Sequence, residues 1–196
     1  MASSSGRYVI AFNGEIYNHL DLRAELAKVG SDETPRSQSP GGAARFWRGH
    51  SDTETLLAAF EAWGIEATLK KCVGMFALAL WDRETRSLTL ARDRLGEKPL
   101  YYGWQGEAFL FGSELKALRA HPAFRGEIDR DALALYLRHN YVPAPYSIYR
   151  GIAKLPPGSW LTLAGYARRR TPRVLASRRL TSAEFLLART RCPRSW

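Results

Sequence analysis

Two short stretches, Asn13-Gly14-Glu15-Ile16-Tyr17-Asn18 and Ser51-Asp52-Thr53-Glu54, hold the residue types best suited to chemistry in this chain. The first puts an amide side chain, a glycine N–H and a carboxylate on consecutive positions. The second adds a carboxylate where a helix should begin. N–H donors suit a carbonyl oxygen, and carboxylates suit an ammonium group, so the set fits a small zwitterionic amide. Taken singly, each piece has an ordinary explanation: Asn-Gly is a common turn, and Asp52 is a favourable charge at a helix N-terminus.

The elements that would position these residues follow from pattern. A short apolar strand, Arg7 to Phe12, should end at Asn13-Gly14, with Asn18 capping a helix from His19 to Val29 and Gly30 stopping it. Residues 31–45 are polar and rich in Ser, Pro and Gly, which predicts a loop or disordered insert. Ser51-Asp52-Thr53-Glu54 reads as a capping box opening a second helix, with Leu56, Leu57, Phe60 and Trp63 on one face and Gly64 at its end. Four strands are predicted next: Met75 to Trp81, Leu88 to Arg92, Leu100 to Trp104 and Ala108 to Gly112. The first barely alternates, as expected of a strand buried on both faces. A short helix over Glu114 to Ala120, an Asp129-capped helix over Ala132 to His139 and a last strand, Trp160 to Leu163, complete the body. Helices stacked on a largely antiparallel sheet make the fold class α+β, one half of a layered sandwich.

Composition narrows the function. The chain has 196 residues, enough for one domain, and its 45% hydrophobic content can bury a core. No apolar run approaches the ~18 residues that span a bilayer, and no signal peptide is evident, so no membrane role is expected. Cys72 and Cys192 form no disulfide framework, and His19, His50, His121 and His139 share no ligand spacing. A reducing, cytoplasmic setting and no metal site are therefore expected. The net charge of +10 is unevenly placed: residues 1–163 hold 20 Lys and Arg against 18 Asp and Glu, while residues 164–196 hold nine arginines and a single acid, Glu184. A basic nucleic-acid-binding arm in 164–196 is one reading. The lack of aromatics interleaved with the arginines favours the other, a disordered or out-of-frame tail.

FNGEIYN, GHSDTETLL, VGMFALALWD, LARDRLGEKPLYY, FGSELKAL and VPAPYSIYRGIAKLPPGSWLTL, in that order, resemble the glutaminase domain of glutamine-hydrolysing asparagine synthetases. The resemblance covers residues 7–163 apart from the insert at 31–45. It implies a class II glutamine amidotransferase domain with an N-terminal nucleophile hydrolase fold, an αββα sandwich. Such a domain hydrolyses glutamine to glutamate and ammonia, which a synthetase half uses to amidate aspartate with ATP and Mg2+. On this likeness Asn13 (side chain) and Gly14 (N–H) are oxyanion donors, and Glu15 and Asp52 hold the α-amino group of glutamine.

The family pattern also sets expectations at the two ends. Its nucleophile is an N-terminal cysteine, whereas this sequence opens Met1-Ala2-Ser3, with no strand expected before Arg7 to place Ser3, Ser4 or Ser5. Neither the family's HRGPD-type segment nor the SGG-x-DS loop of its synthetase half occurs here. Cys72 reads as a small core residue. The expectation is a partial glutaminase domain that keeps part of the glutamine pocket, lacks the nucleophile, binds no cofactor itself, and has glutamine and a synthetase domain or an intact homologue as partners. A non-catalytic glutamine-binding or docking module is the alternative.

Overall fold

The polypeptide enters as a tight hairpin onto a long first strand, β1 (Tyr8–Ile16). Ala2 bridges Val9, and the Ser3 N–H donates to Tyr8 O at 2.9 Å. This computed structural model describes residues 1–29 and 47–164, together with the backbone of 173–179. The expected helix stop at Gly30 and the insert at 31–45 lie outside the described residues.

β1 pairs along its whole length with β2 (Gly74–Asp82), antiparallel, from Tyr8 opposite Asp82 to Ile16 opposite Gly74. The expected end of the strand at Phe12 is thus corrected: Asn13 and Gly14 continue the ladder, opposite Ala77 and Phe76, instead of turning. A local turn signal loses here to nine residues of cross-strand pairing. β3 (Ser87–Arg92), β7 (Ser159–Ala164) and β8 (Arg173–Arg179) extend this first sheet in the order β1-β2-β3-β7-β8. Residues 173–179 carry no strand period of their own; their backbone takes the open edge of β7. A second sheet, ordered β5-β4-β6, holds β4 (Tyr101–Gln105), β5 (Ala108–Gly112) and the three-residue β6 (Ile152–Lys154).

Alternation sorts the side chains into layers. One face of the first sheet presents Tyr8, Ile10, Ile16, Phe76, Leu78, Leu80 and Trp160 to helices α1 (His19–Val29) and α2 (Asp52–Trp63), making one apolar core with Leu22, Leu56 and Phe60. The other face puts Ala77, Ala79, Leu88, Leu90, Leu161 and Leu163 against the second sheet. Outside that sheet, Leu118 of α4 (Leu115–Arg119) packs on Leu110 and Ile152. The order helix, sheet, sheet, helix is the αββα sandwich that the family resemblance implies, with both sheets present where pattern alone predicts one half of it.

Two helices are capped by the residues expected of them. Ser51 Oγ accepts the Thr53 N–H at the start of α2, and Asp129 accepts the Asp131 and Ala132 N–H groups at the start of α5 (Arg130–His139). Gly64, at φ +77°, ends α2 but also opens α3 (Ile65–Lys71), a seven-residue helix absent from the sequence-based expectation. Asn18 is used differently from the prediction. Its side chain does not cap α1; it donates to Lys71 O and accepts the Val73 N–H, both at 2.9 Å, clamping the approach to β2 against the end of β1.

Candidate functional site

β1 is the outermost strand of its sheet, and the phase of its pairing decides what it offers. The Tyr17 N–H donates to Val73 O at 2.8 Å, so odd-numbered residues bond towards β2. Even-numbered residues point their N–H groups outward: Ile10 bonds Met1 O, and Ile16 bonds Asp52. By the same alternation the Gly14 N–H faces the open edge. Side chains alternate too: Ile16 is buried, while Asn13, Glu15 and Tyr17 are exposed on the opposite face.

Asp52 comes to this edge from α2. Its Oδ2 accepts the Ile16 N–H at 2.9 Å and its Oδ1 accepts the Thr53 N–H at 2.6 Å. The first bond fixes the carboxylate one residue from Glu15 and two from Gly14. The Thr53 hydroxyl adds a third, longer bond to Oδ1 at 3.3 Å; a carboxylate has about four acceptor directions, so one is left for an ammonium. Glu54 completes the turn in a variant of the capping box, its two oxygens taking the N–H groups of Arg48 and Gly49 instead of that of Ser51.

Arg23, on α1, was missed by sequence reasoning and holds this turn in place. Its guanidinium donates to Thr55 Oγ1 at 2.8 Å and to the carbonyls of Gly49 and Ser51, both at 3.0 Å. Ser113 was also missed as a site residue: it follows β5 directly, and its Oγ accepts from Asn13 Nδ2 at 2.9 Å. Both belong to recognisable stretches, but no local pattern reports a partner 32 or 100 positions away.

The motif Arg92-Asp93-Arg94-Leu95-Gly96-Glu97-Lys98 is scaffold. The Asp93 carboxylate accepts N–H groups from Phe76, Leu95, Glu97 and Lys98. The Arg92 guanidinium donates to the carbonyls of Lys98, Leu155 and Gly96, each at 2.7 Å. Because Phe76 lies opposite Gly14, this loop is tied to the strand pair that carries the site.

The N-terminal serines sit at the other end of β1. Five residues of strand separate Tyr8 from Asn13, roughly 17 Å. Ser3 is buried, with its Oγ accepting the Tyr8 N–H, and the Ser4 and Ser5 hydroxyls donate to Glu61. The expectation that nothing places these serines is corrected by the entry hairpin, which engages all three hydroxyls away from the site. Cys72 is fully buried, and burial pushes its thiol up to about 12, with Arg94 opposing. A cleft of about 640 Å3 lined by Glu127, Ile128, Arg130, Leu133 and Arg150 shares no residue with the β1 edge. Among the described residues no helix is long and apolar enough to cross a membrane.

Known proteins give this geometry a context. Residues 1–172 match the family model described as a glutamine amidotransferase domain. Asparagine synthetase [glutamine-hydrolyzing] 3 of Bacillus subtilis is 39% identical over 158 residues, 80% of this chain and 23% of that protein. Asparagine synthetase B [glutamine-hydrolyzing] of Escherichia coli is 41% identical over 112 residues, 57% of this chain and 17% of that protein. The chain therefore spans less than a quarter of the length of these relatives. The glutamine phosphoribosylpyrophosphate amidotransferase of B. subtilis superposes with a TM-score of 0.56 at 19% identity, covering 93% of this chain and 31% of that one, which bears on the fold alone. The expected α+β fold of the N-terminal nucleophile hydrolase type is the fold observed. With a family model matching all but its last 24 residues, the chain belongs to the glutamine amidotransferase domain family, and the glutamine-hydrolysing asparagine synthetases are its relatives.

Proposed function

We propose that the open edge of β1 is the glutamine-holding wall of an amidotransferase site. Its ammonia would serve the ATP-dependent amidation of aspartate in a synthetase domain, carried by a longer protein or an intact homologue. In this reading the Gly14 N–H and Asn13 Nδ2 face the amide carbonyl oxygen, while Glu15 and Asp52 receive the α-ammonium. The observation that carries it is the Asp52–Ile16 bond, which brings a second carboxylate to the strand position next to Glu15. Gly14 and Ile16 are about 6.7 Å apart along a strand, comparable to the separation of the two polar ends of an extended glutamine.

The chemistry follows from where charge develops. Attack on the amide carbon moves negative charge onto its oxygen, and N–H donors already aimed there stabilise that charge by about 3 kcal/mol each. Hydrolysis consumes water and yields glutamate and ammonia. We assign the nucleophile to none of the described residues: Cys72 lies in the core with a raised thiol, and Ser3, Ser4 and Ser5 are bonded at the far end of β1. We likewise assign none of the described residues to ATP or Mg2+.

Titration calorimetry of the purified chain with glutamine tests this reading. Glutamine should bind, and Asp52→Asn should weaken binding at least about tenfold, as expected for losing one charge-assisted hydrogen bond. Absence of any heat with the unmodified chain would remove it.

A further inference from the structure

Asn13 is exposed on β1, and an exposed asparagine on an edge strand has little to choose one rotamer over another. An oxyanion donor must be aimed before the reaction, since its value lies in needing no rearrangement when charge appears. The bond from Asn13 Nδ2 to Ser113 Oγ supplies that aim. It runs between residues 100 positions apart and links the edge of the first sheet to the end of β5 in the second.

Three features make Ser113 a fixed anchor. β5 is paired with β4 through Gly112, opposite Tyr101, immediately before Ser113. Gly112 leaves space for α4: a Cβ there would lie 2.9 Å from Leu118 Cδ1, the tip of the side chain that packs the helix against the strand end. Finally, the hydroxyl is not consumed by α4, whose cap carries no side-chain bond.

We infer that Ser113 is the positioning residue for Asn13, holding one N–H of the amide at the seam between the sheets so that the other faces the substrate oxygen. This rests on the proposed role of Asn13 and extends it to a residue on a different sheet. Ser113 does not touch the substrate; it acts through the Asn13 amide.

Side-chain 15N–1H spectra of the full chain test this. Asn13→Ala assigns the Asn13 amide signals, and spectra are compared for the unmodified chain, Ser113→Ala and Ser113→Thr, each with and without glutamine. Ser113→Ala should shift the Asn13 signals and weaken glutamine binding about two- to tenfold, the range of one lost neutral hydrogen bond. Ser113→Thr, which keeps the hydroxyl, should restore both. Thermal melting of each variant shows that the fold is retained. If glutamine moves the Asn13 signals of the unmodified chain while Ser113→Ala changes neither spectrum nor affinity, the positioning role is overturned and the glutamine site stands. If glutamine binds none of the proteins, the glutamine site fails. The Asn13 signals of Ser113→Ala without ligand then decide positioning alone, and unchanged signals overturn it.

Discussion

Replacing Gly14 with alanine should unzip part of β1 from β2. A Cβ at Gly14 would lie 2.1 Å from Met75 O and 2.7 Å from Phe76 Cα, and one at Gly74 would lie 2.1 Å from Glu15 O and 2.9 Å from Ile16 Cα. Backbone atoms cannot swing aside as a side chain would. Ordinary contact requires the strands to part by about 1 Å, which carries hydrogen bonds near 2.9 Å beyond their useful length. Losing two or three ladder bonds at about 1 kcal/mol each puts Gly14→Ala near 3 kcal/mol, a fall of roughly 6–12 °C in Tm for a chain of this size. Gly74→Ala should cost about the same. One separation of the strands relieves both clashes, so the double variant should cost little more than either single one. Thermal unfolding followed by circular dichroism measures all three. A Gly14→Ala protein melting within about 2 °C of the unmodified chain, or strictly additive losses, would refute this account of the strand pair.

Two further outcomes follow from charge and burial. Burial alone would raise the Asp82 carboxyl, but the Arg7 guanidinium at 2.8 Å and the Glu84 and Thr85 N–H groups outweigh it and hold it below its ordinary value. Its stabilising contribution is therefore complete above the ordinary aspartate range, near pH 4, and is lost as pH falls through the depressed value. Arg7→Met should lower Tm at neutral pH and flatten its decline on acidification; parallel curves for the two proteins would count against the pairing. Cys72, buried and with a raised thiol, should resist maleimide at about pH 8 until the chain unfolds. Peptide mapping of the native protein reads this directly, and rapid native labelling at Cys72 would contradict it.

Local signals served best where one element settles its own boundaries. The Ser51 and Asp129 caps and the apolar runs of β2 to β5 lie close to where their patterns place them. What escaped detection is decided by distant partners. β1 runs through Asn13-Gly14 because Gly74 to Ala77 offer it a ladder. The Asn18 amide turns to Lys71 and Val73, and Ser113 turns to Asn13, because the folded chain brings those groups within reach. Helix α3 is only seven residues long and starts on a glycine, too short for periodicity to show. In the candidate site, Asn13, Gly14, Glu15 and Asp52 were legible as types, whereas their phase on the strand, and the roles of Arg23 and Ser113, needed the tertiary pairing.

The neighbours Arg92 and Asp93 show one more thing about how this site is built. Opposite charges side by side in sequence invite an ion pair, yet the three hydrogen bonds of Arg92 and the four of Asp93 go to backbone groups. Each ion acts as a mould around which the 93–98 loop sets. Such a mould is far less sensitive to ionic strength than a solvent-exposed pair such as Lys70–Glu66. The consequence is a kind of mimicry: a substitution in this charged motif would weaken the proposed glutamine binding as loss of a contacting residue would, while the actual damage is a loop no longer cast in the shape that steadies the strand beside Gly14.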